Sequence, residues 1–351
     1  MKKILKIGKD SRKAFITYGI VIAGYIVMQI LSSTGSLSSM LQGMLVPICA
    51  YVTMAVSLNL TVGILGELSL GHAGFMSAGA FSGVTAAVCL SGIQSPSLRL
   101  ALAMIIAALF AGVIGFIIGI PVLRLNGDYL AIVTLAFGEI IKSIFNNLFV
   151  GIDSRGLHFS FLNDNTHLEE GGKLIIGGPM GLGSIDKIST FTAGVILVII
   201  SLIIVFNFVK SRTGRAVMAI RDNKIAAESV GINITSYKMM AFVTSAAIAG
   251  AAGALFAMNY STIVANKFDF NTSILVLVFV VLGGLGNMLG SIIAATALTI
   301  LPEALRQFSD YRMLVYAIVL ILVMIVTNNP TIKDFFKRFR KKDEDKEGGA
   351  A

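Results

Sequence analysis

Long apolar runs separated by short polar or Gly-rich breaks recur along the chain, and each run is close to the roughly 20 residues that a transmembrane helix needs. Read from the N-terminus, spans are predicted at about 14–31, 40–62, 73–90, 100–120, 129–150, 191–209, 239–258, 273–288, 289–305 and 313–327. The expected fold class is all-α: a polytopic membrane protein with about ten transmembrane helices. The eighth and ninth spans meet at Gly283-Gly284-Leu285-Gly286-Asn287-Met288-Leu289-Gly290. That stretch is either a turn between two helices or a single broken helix.

Composition removes the soluble alternatives. The chain has 351 residues, of which 56% are apolar and 13% charged, where a soluble domain carries roughly a quarter charged residues. Its mean hydropathy is +0.85. Residues 1–13 hold six Lys or Arg against one Asp and precede the first apolar run. That run, at about 18 residues, exceeds a signal-peptide core of roughly 7 to 15, and Ser32-Ser33-Thr34-Gly35 lacks an Ala-x-Ala cleavage pattern. An uncleaved first span with a cytoplasmic N-terminus is expected. Charge orients the rest. The segment 151–190 holds five acidic and three basic residues and is assigned outside, whereas 210–238 holds six Lys or Arg against Asp222 and Glu228 and is assigned to the cytoplasm. Both termini are then cytoplasmic. The chain divides into a basic N-terminus (1–13), a transmembrane domain (14–327) and a charged cytoplasmic tail (328–351). The net charge of +9 lies in short runs beside apolar segments, so topology accounts for it and no nucleic-acid partner is needed. Cys49 and Cys89 sit in apolar runs with no CxxC spacing and are read as core packing.

Candidate chemistry is sparse. Gly172-Lys173 is followed by Leu174, so no P-loop exists for ATP. There is no HExxH, and His72, His158 and His167 are too scattered for a metal site. No catalytic constellation is visible, and the chain is read as a non-enzyme that needs neither metal nor cofactor of its own. The informative residues are glycines and the few polar groups at membrane depth. Gly79 with Gly83, Gly115 with Gly119, and Gly286 with Gly290 form GxxxG pairs, which either pack helices closely or break a helix along a path. Glu139 falls near the middle of the fifth span, where a carboxylate must face protein or water. It either pairs with Lys142 one turn on or serves the path or a subunit contact. Glu67 and His72 flank a Gly-rich turn and read as a buried cap or as a gate. In the cytoplasmic segment, Asp222 or Asn223 can cap a short helix that Gly231 ends, leaving Ile225, Ala226 and Val230 near one face with little to cover them. Such a helix outside the bilayer implies a docking partner.

The stretch 214–231 resembles the degenerate Glu-Ala-Ala to Gly coupling loop of bacterial ABC importer permeases, although Ala226-Ala227-Glu228 departs from the commonest order of that motif. Leu68-Ser69-Leu70-Gly71-His72-Ala73-Gly74-Phe75, Gly127-Asp128-Tyr129-Leu130-Ala131-Ile132-Val133-Thr134-Leu135-Ala136-Phe137-Gly138-Glu139-Ile140 and Gly177-Gly178-Pro179-Met180-Gly181-Leu182 are similar to the branched-chain amino acid permease family, LivM type. The similarity runs from about residue 46 to 325, and the stretch 153–174 is longer than the family's usual loop there. The resemblance implies an importer in a bacterial inner membrane, built from this chain, a second LivH-like permease, two cytoplasmic ATP-binding subunits and an extracytoplasmic binding protein. It implies ATPase coupling through Arg215, Arg221, Asp222, Ala226, Ala227, Glu228 and Gly231. A translocation path past Glu67, Ser69, Gly71, His72, Gly74, Thr134 and Glu139 is expected. Urea or short amides are an alternative cargo. An ion-coupled secondary transporter, using Glu139, is an alternative class.

Overall fold

The computed structural model describes residues 9–35, 38–125, 127–153, 156–162, 172–183 and 185–305, with isolated positions beyond and between them. The chain divides into Met1–Thr296 and Ala297–Ala351. Helices dominate the first unit: α1 Lys9–Ser33, α2 Ser39–Asn59 continuing as a π-helical turn Leu60–Leu65, α3 His72–Cys89, α4 Pro96–Val122, α5 Asp128–Asn146, α6 Phe191–Lys210, α7 Arg212–Asp222, α8 Lys224–Ser229, α9 Ile234–Ala257 and α10 Phe270–Gly283. Helix α11, Met288–Ala304, runs from the first unit into the second. Among the described residues, six helical segments are long and apolar enough to cross a membrane: 14–33, 39–65, 96–122, 191–210, 234–257 and 265–283. The chain is thus a mostly helical, polytopic membrane protein. The expected tenth span, 313–327, falls almost wholly outside the described residues.

Side chains at the helix starts explain many of the boundaries. Ser38, Thr190, Ser211, Asn223, Asn233 and Asp269 each accept a hydrogen bond from a backbone N–H of the first turn of α2, α6, α7, α8, α9 and α10, satisfying donors that have no intrahelical partner. Pro96 starts α4, where its missing N–H costs nothing. Helix α9 forms the centre, packed by α2, α3 and α4. Its glycines and those of α3 bring backbones together: a Cβ on Gly79 would strike the backbone of Gly250, and one on Gly253 would strike the carbonyl of Met76. Gly83 abuts Ala254, and Gly115 lies against Ala246. The pairs Gly79/Gly83 and Gly115/Gly119 therefore pack helices rather than break them.

The structure adds a small sheet and decides one open alternative. The segment 148–177 is not simply loop and helix end: Leu148–Asp153 (β1), Gly156–Phe161 (β2) and Lys173–Gly177 (β3) form an antiparallel sheet in the order β2-β1-β3. The fold as a whole is all-α, as expected, and the small sheet is an addition that the sequence hides, because Leu148-Phe149-Val150 is a short apolar run, which periodicity cannot divide between helix and strand; Asn147, in a non-helical conformation, ends α5. Between the spans near 283–290, the turn is the alternative that the structure adopts. Residues 284–287 form a tight turn with Gly284 and Gly286 at positive φ, so Gly283 to Gly290 is a connection between two helices. The break lies before α10, where the 3-10 turn Ala265–Lys267 precedes Asp269, the cap of the helix.

Candidate functional site

The basic segment folds as two short helices joined at Asn223. The Asn223 side chain accepts from the Ala226 N–H at 3.0 Å, so of the two expected caps it is Asn223, and not Asp222, that starts α8. Gly231, at φ +83°, ends the segment with its N–H donating to Glu228 O at 2.9 Å, a conformation that an L side chain resists. Ala227 is buried, whereas Ala226 and Glu228 are exposed. Ile225 and Val230 are 78% and 76% exposed. Arg215 donates to Lys210 O at 2.9 Å and so ties α7 to the end of α6. Arg221 pairs with Asp222 and also donates to Gly63 O, at 3.1 Å, in the π-helical turn of α2. The seven expected coupling residues thus lie on one two-helix element, which Arg221 ties to the membrane domain through its bond to Gly63 O.

The Gly-rich motif and the Thr134 motif form one contact. Thr134 Oγ1 donates to Ala131 O at 2.8 Å and accepts from the Leu70 N–H at 3.0 Å. A Cβ on Gly71 would strike the Thr134 carbonyl, one on Gly74 would lie 2.8 Å from Gly138 Cα, and one on Gly138 would lie 3.1 Å from Gly71 Cα. Helix α3 therefore starts beside the middle of α5, about 9 to 15 Å along that helix at 1.5 Å per residue. The first turn of α10 meets the same place, since Ser273 Oγ accepts from the Ala73 N–H at 3.1 Å. Two helix starts converge against α5, an arrangement that discontinuous helices make around transported ligands. Ser69, fully buried, has no hydrogen-bond partner for its hydroxyl among the described residues.

His72 and Glu67, which flank this motif, have separate partners. His72 is buried, with Nε2 2.7 Å from Ser57 Oγ. Ser57 Oγ donates to Ser245 O at 2.7 Å, and Ser245 Oγ donates back to Ser57 O at 2.7 Å. With its own proton committed, Ser57 accepts from His72, which is then protonated on Nε2. Glu67 forms an ion pair with Lys238 of α9; the two side chains are 14% and 4% exposed. Lys238 is inconspicuous in the sequence because it counts as one more cation in the cytoplasmic run. Its place in the first turns of an apolar helix is the available signal.

Glu139 pairs with Lys142, at 40% and 21% exposure. Around them lie Asp269, whose cap bonds run to Thr272 N and Thr272 Oγ1, Asn271, which donates to Asp269, and the bonded amides of Asn146 and Asn266. A narrow crevice is lined by Leu70, Gly74, Gly138, Glu139, Asp269 and Ser273. The α5–α10 face is thus polar where it opens outward. At membrane depth such a face needs water or another subunit against it. Sequence reasoning finds Glu139 but misses Asp269, whose carboxylate is masked by its role as a cap. Among the described residues no cluster of three His, Cys, Asp or Glu could hold a metal.

The family described as branched-chain amino acid transport system / permease component matches residues 39–324. The high-affinity branched-chain amino acid transport system permease protein LivM of Escherichia coli K12 is 35% identical over 293 residues, 78% of this chain and 66% of that protein. Its counterpart in Salmonella typhimurium LT2 is 34% identical with the same coverage. The fructose import permease protein FruG of Bifidobacterium longum NCC 2705 is 26% identical over 266 residues, 72% of this chain and 73% of that protein. The matched region spans just under two thirds of the two LivM proteins. No solved structure is significantly similar.

Proposed function

The chain belongs to the branched-chain amino acid transport system permease family, and from that premise we propose that it is one permease subunit of an ABC importer for branched-chain amino acids. ATP is hydrolysed in two separate cytoplasmic subunits, so this chain needs no nucleotide site, cofactor or catalytic residue. A second, LivH-like permease completes the path, and an extracytoplasmic binding protein delivers the cargo. The protein resides in a bacterial inner membrane, with ten spans, both termini cytoplasmic, 151–190 outside and 210–238 inside.

The observation that carries the reading is the α7–α8 element. A capped, Gly-terminated helix presents Ile225 and Val230 to solvent, and apolar side chains so exposed on a short helix call for a partner surface. Arg215, Arg221, Asp222, Ala226, Ala227, Glu228 and Gly231 form the coupling element. Glu67, Ser69, Gly71, His72, Gly74, Thr134 and Glu139 lie along or beside the path: Glu139 faces it, while Gly71, Gly74 and Thr134 hold α3 against α5, and His72 and Glu67 brace α3 and the preceding turn against α2 and α9. ATP drives alternation because the ATPase binds the coupling element differently in two states.

The experiment is purification of the tagged chain with its ATPase partner, combined with uptake of labelled leucine, isoleucine, valine, fructose and urea. Co-purification with uptake of the three amino acids alone is expected. Purification without any ATPase, with uptake that tracks an ion gradient, refutes the proposal.

A further inference from the structure

The cytoplasmic end of α2 does not finish as an α-helix but as the π-helical turn Leu60–Leu65, all six residues of which are buried. A π turn holds one residue more than an α turn, and such turns are frequent at functional positions. Two elements grip this one. From the coupling element, Arg221 donates to Gly63 O at 3.1 Å, and its aliphatic stem covers Gly66, the turn's C-cap at φ +80°. The second is the α10–α11 turn. A Cβ on Gly63 would lie 2.9 Å from Gly286 Cα, so the two backbones touch. Asn59, one residue before the turn, is fully buried. It accepts from the Gly286 N–H at 2.8 Å and donates to Ser291 Oγ at 2.9 Å.

We infer that this π turn is the joint through which the coupling element moves the membrane domain, with Asn59 the positioning residue that carries the movement to the α10–α11 turn. The inference rests on the coupling role proposed for α7–α8. A displacement of α7 pulls on the Gly63 carbonyl through Arg221. Conversion of the π turn to α shifts the chain beyond it by one residue, about 1.5 Å along the axis. The Gly63–Gly286 contact and the two Asn59 bonds then force the α10–α11 turn to move with it. Helix α10 starts at the α3–α5 convergence, so the displacement arrives beside Glu139 and Asp269.

Asn59 has no exposed surface and cannot touch an ATPase, which makes its variants diagnostic. In proteoliposomes holding the whole transporter and its binding protein, Asn59→Leu removes both bonds at similar volume. ATPase subunits are expected to co-purify as in the wild type, while amino acid taken up per ATP hydrolysed falls about tenfold. Ser291→Ala removes one of the two Asn59 bonds, together with the Ser291 Oγ bond to Asn287 O, and lowers the same ratio by about threefold. Arg221→Met combined with Asn59→Leu is no worse than the more severe single variant, because one route is broken twice. Unchanged uptake per ATP in Ser291→Ala and Asn59→Leu overturns the inference, as does a multiplicative loss in the double variant. If Asn59→Leu does not assemble, the ratio measured for Ser291→Ala decides alone. Failure of the wild-type chain to bind an ATPase instead refutes the coupling role itself.

Discussion

Glu67→Gln leaves the Lys238 ammonium without its counter-charge in a place where water scarcely reaches it. The Lys238 and Glu67 side chains are 4% and 14% exposed and belong to different parts of the fold, the second turn of α9 and the turn after α2. An exposed ion pair is worth roughly 0 to 1 kcal/mol, since water replaces the lost partner. Loss of one member of a buried pair costs about 3 to 5 kcal/mol, since nothing replaces it. Glutamine retains an acceptor at about the right place, which puts Glu67→Gln at the lower end, near 3 kcal/mol. Lys238→Met keeps the aliphatic stem and strands the better hydrated carboxylate, so its cost is smaller. With both changes no charge is left buried, and the double variant is expected within about 1 kcal/mol of the wild type.

The assay is the amount of tagged chain in the membrane together with the thermal midpoint of the detergent-purified protein. The interaction energy of the four-variant cycle, about 2 kcal/mol or more, is the deciding quantity. Asp222→Asn supplies the control: its partner Arg221 is 38% exposed and Asp222 itself 69%, so the change costs well under about 1 kcal/mol. Equal midpoints for Glu67→Gln and Asp222→Asn would refute the burial argument. So would a double variant less stable than either single.

Three further outcomes are expected. Glu139→Gln removes half of an ion pair that is 40% and 21% exposed, so membrane levels stay within about twofold while uptake falls; loss of protein together with uptake makes the pair structural instead. Gly71→Ala drives a methyl group into the Thr134 carbonyl, whereas Gly24→Ala meets nothing within 4 Å; the first lowers stability by about 1 to 3 kcal/mol and the second leaves it unchanged, and equal yields of folded protein remove the close approach of α3 and α5. In a Cys89→Ser background, Leu157→Cys reacts with an impermeant thiol reagent in intact cells and Ser236→Cys does not; the reverse pattern inverts the topology.

Local signals were legible where they act through neighbours in the chain. Asn223 and Gly231 bound a short helix because a cap and a positive-φ stop need only the residues beside them. The i, i+3 pairing of Glu139 with Lys142 comes from helix geometry alone. The sheet was hidden for the opposite reason. Its strands pair Leu148 with Phe161 and Phe149 with Gly177, and no hydropathy window reveals which of two short apolar runs finds a partner.

The limits at the site have the same origin but a larger consequence. Leu68 to Phe75 and Gly127 to Ile140 read as two motifs, yet the Thr134 and Gly138 backbones fill the space that side chains on Gly71 and Gly74 would need, so the glycines of one are there because of the backbone of the other. A count of apolar residues also treats every run as a full crossing. Helix α10 has 14 residues, about 21 Å, against a hydrocarbon core of about 30 Å, and the crossing is completed by the 3-10 turn and cap before it. The polar residues of that completion, Asn266 and Asp269, look like loop in the sequence and line the α5–α10 face in the fold. A broken helix places its capping side chain inside the membrane domain, where a continuous one would leave it at the surface. The residues that make α10 too short to span alone are therefore the same ones that bring the Asp269 carboxylate to the crevice beside Glu139 and the Asn266 amide to the end of α5.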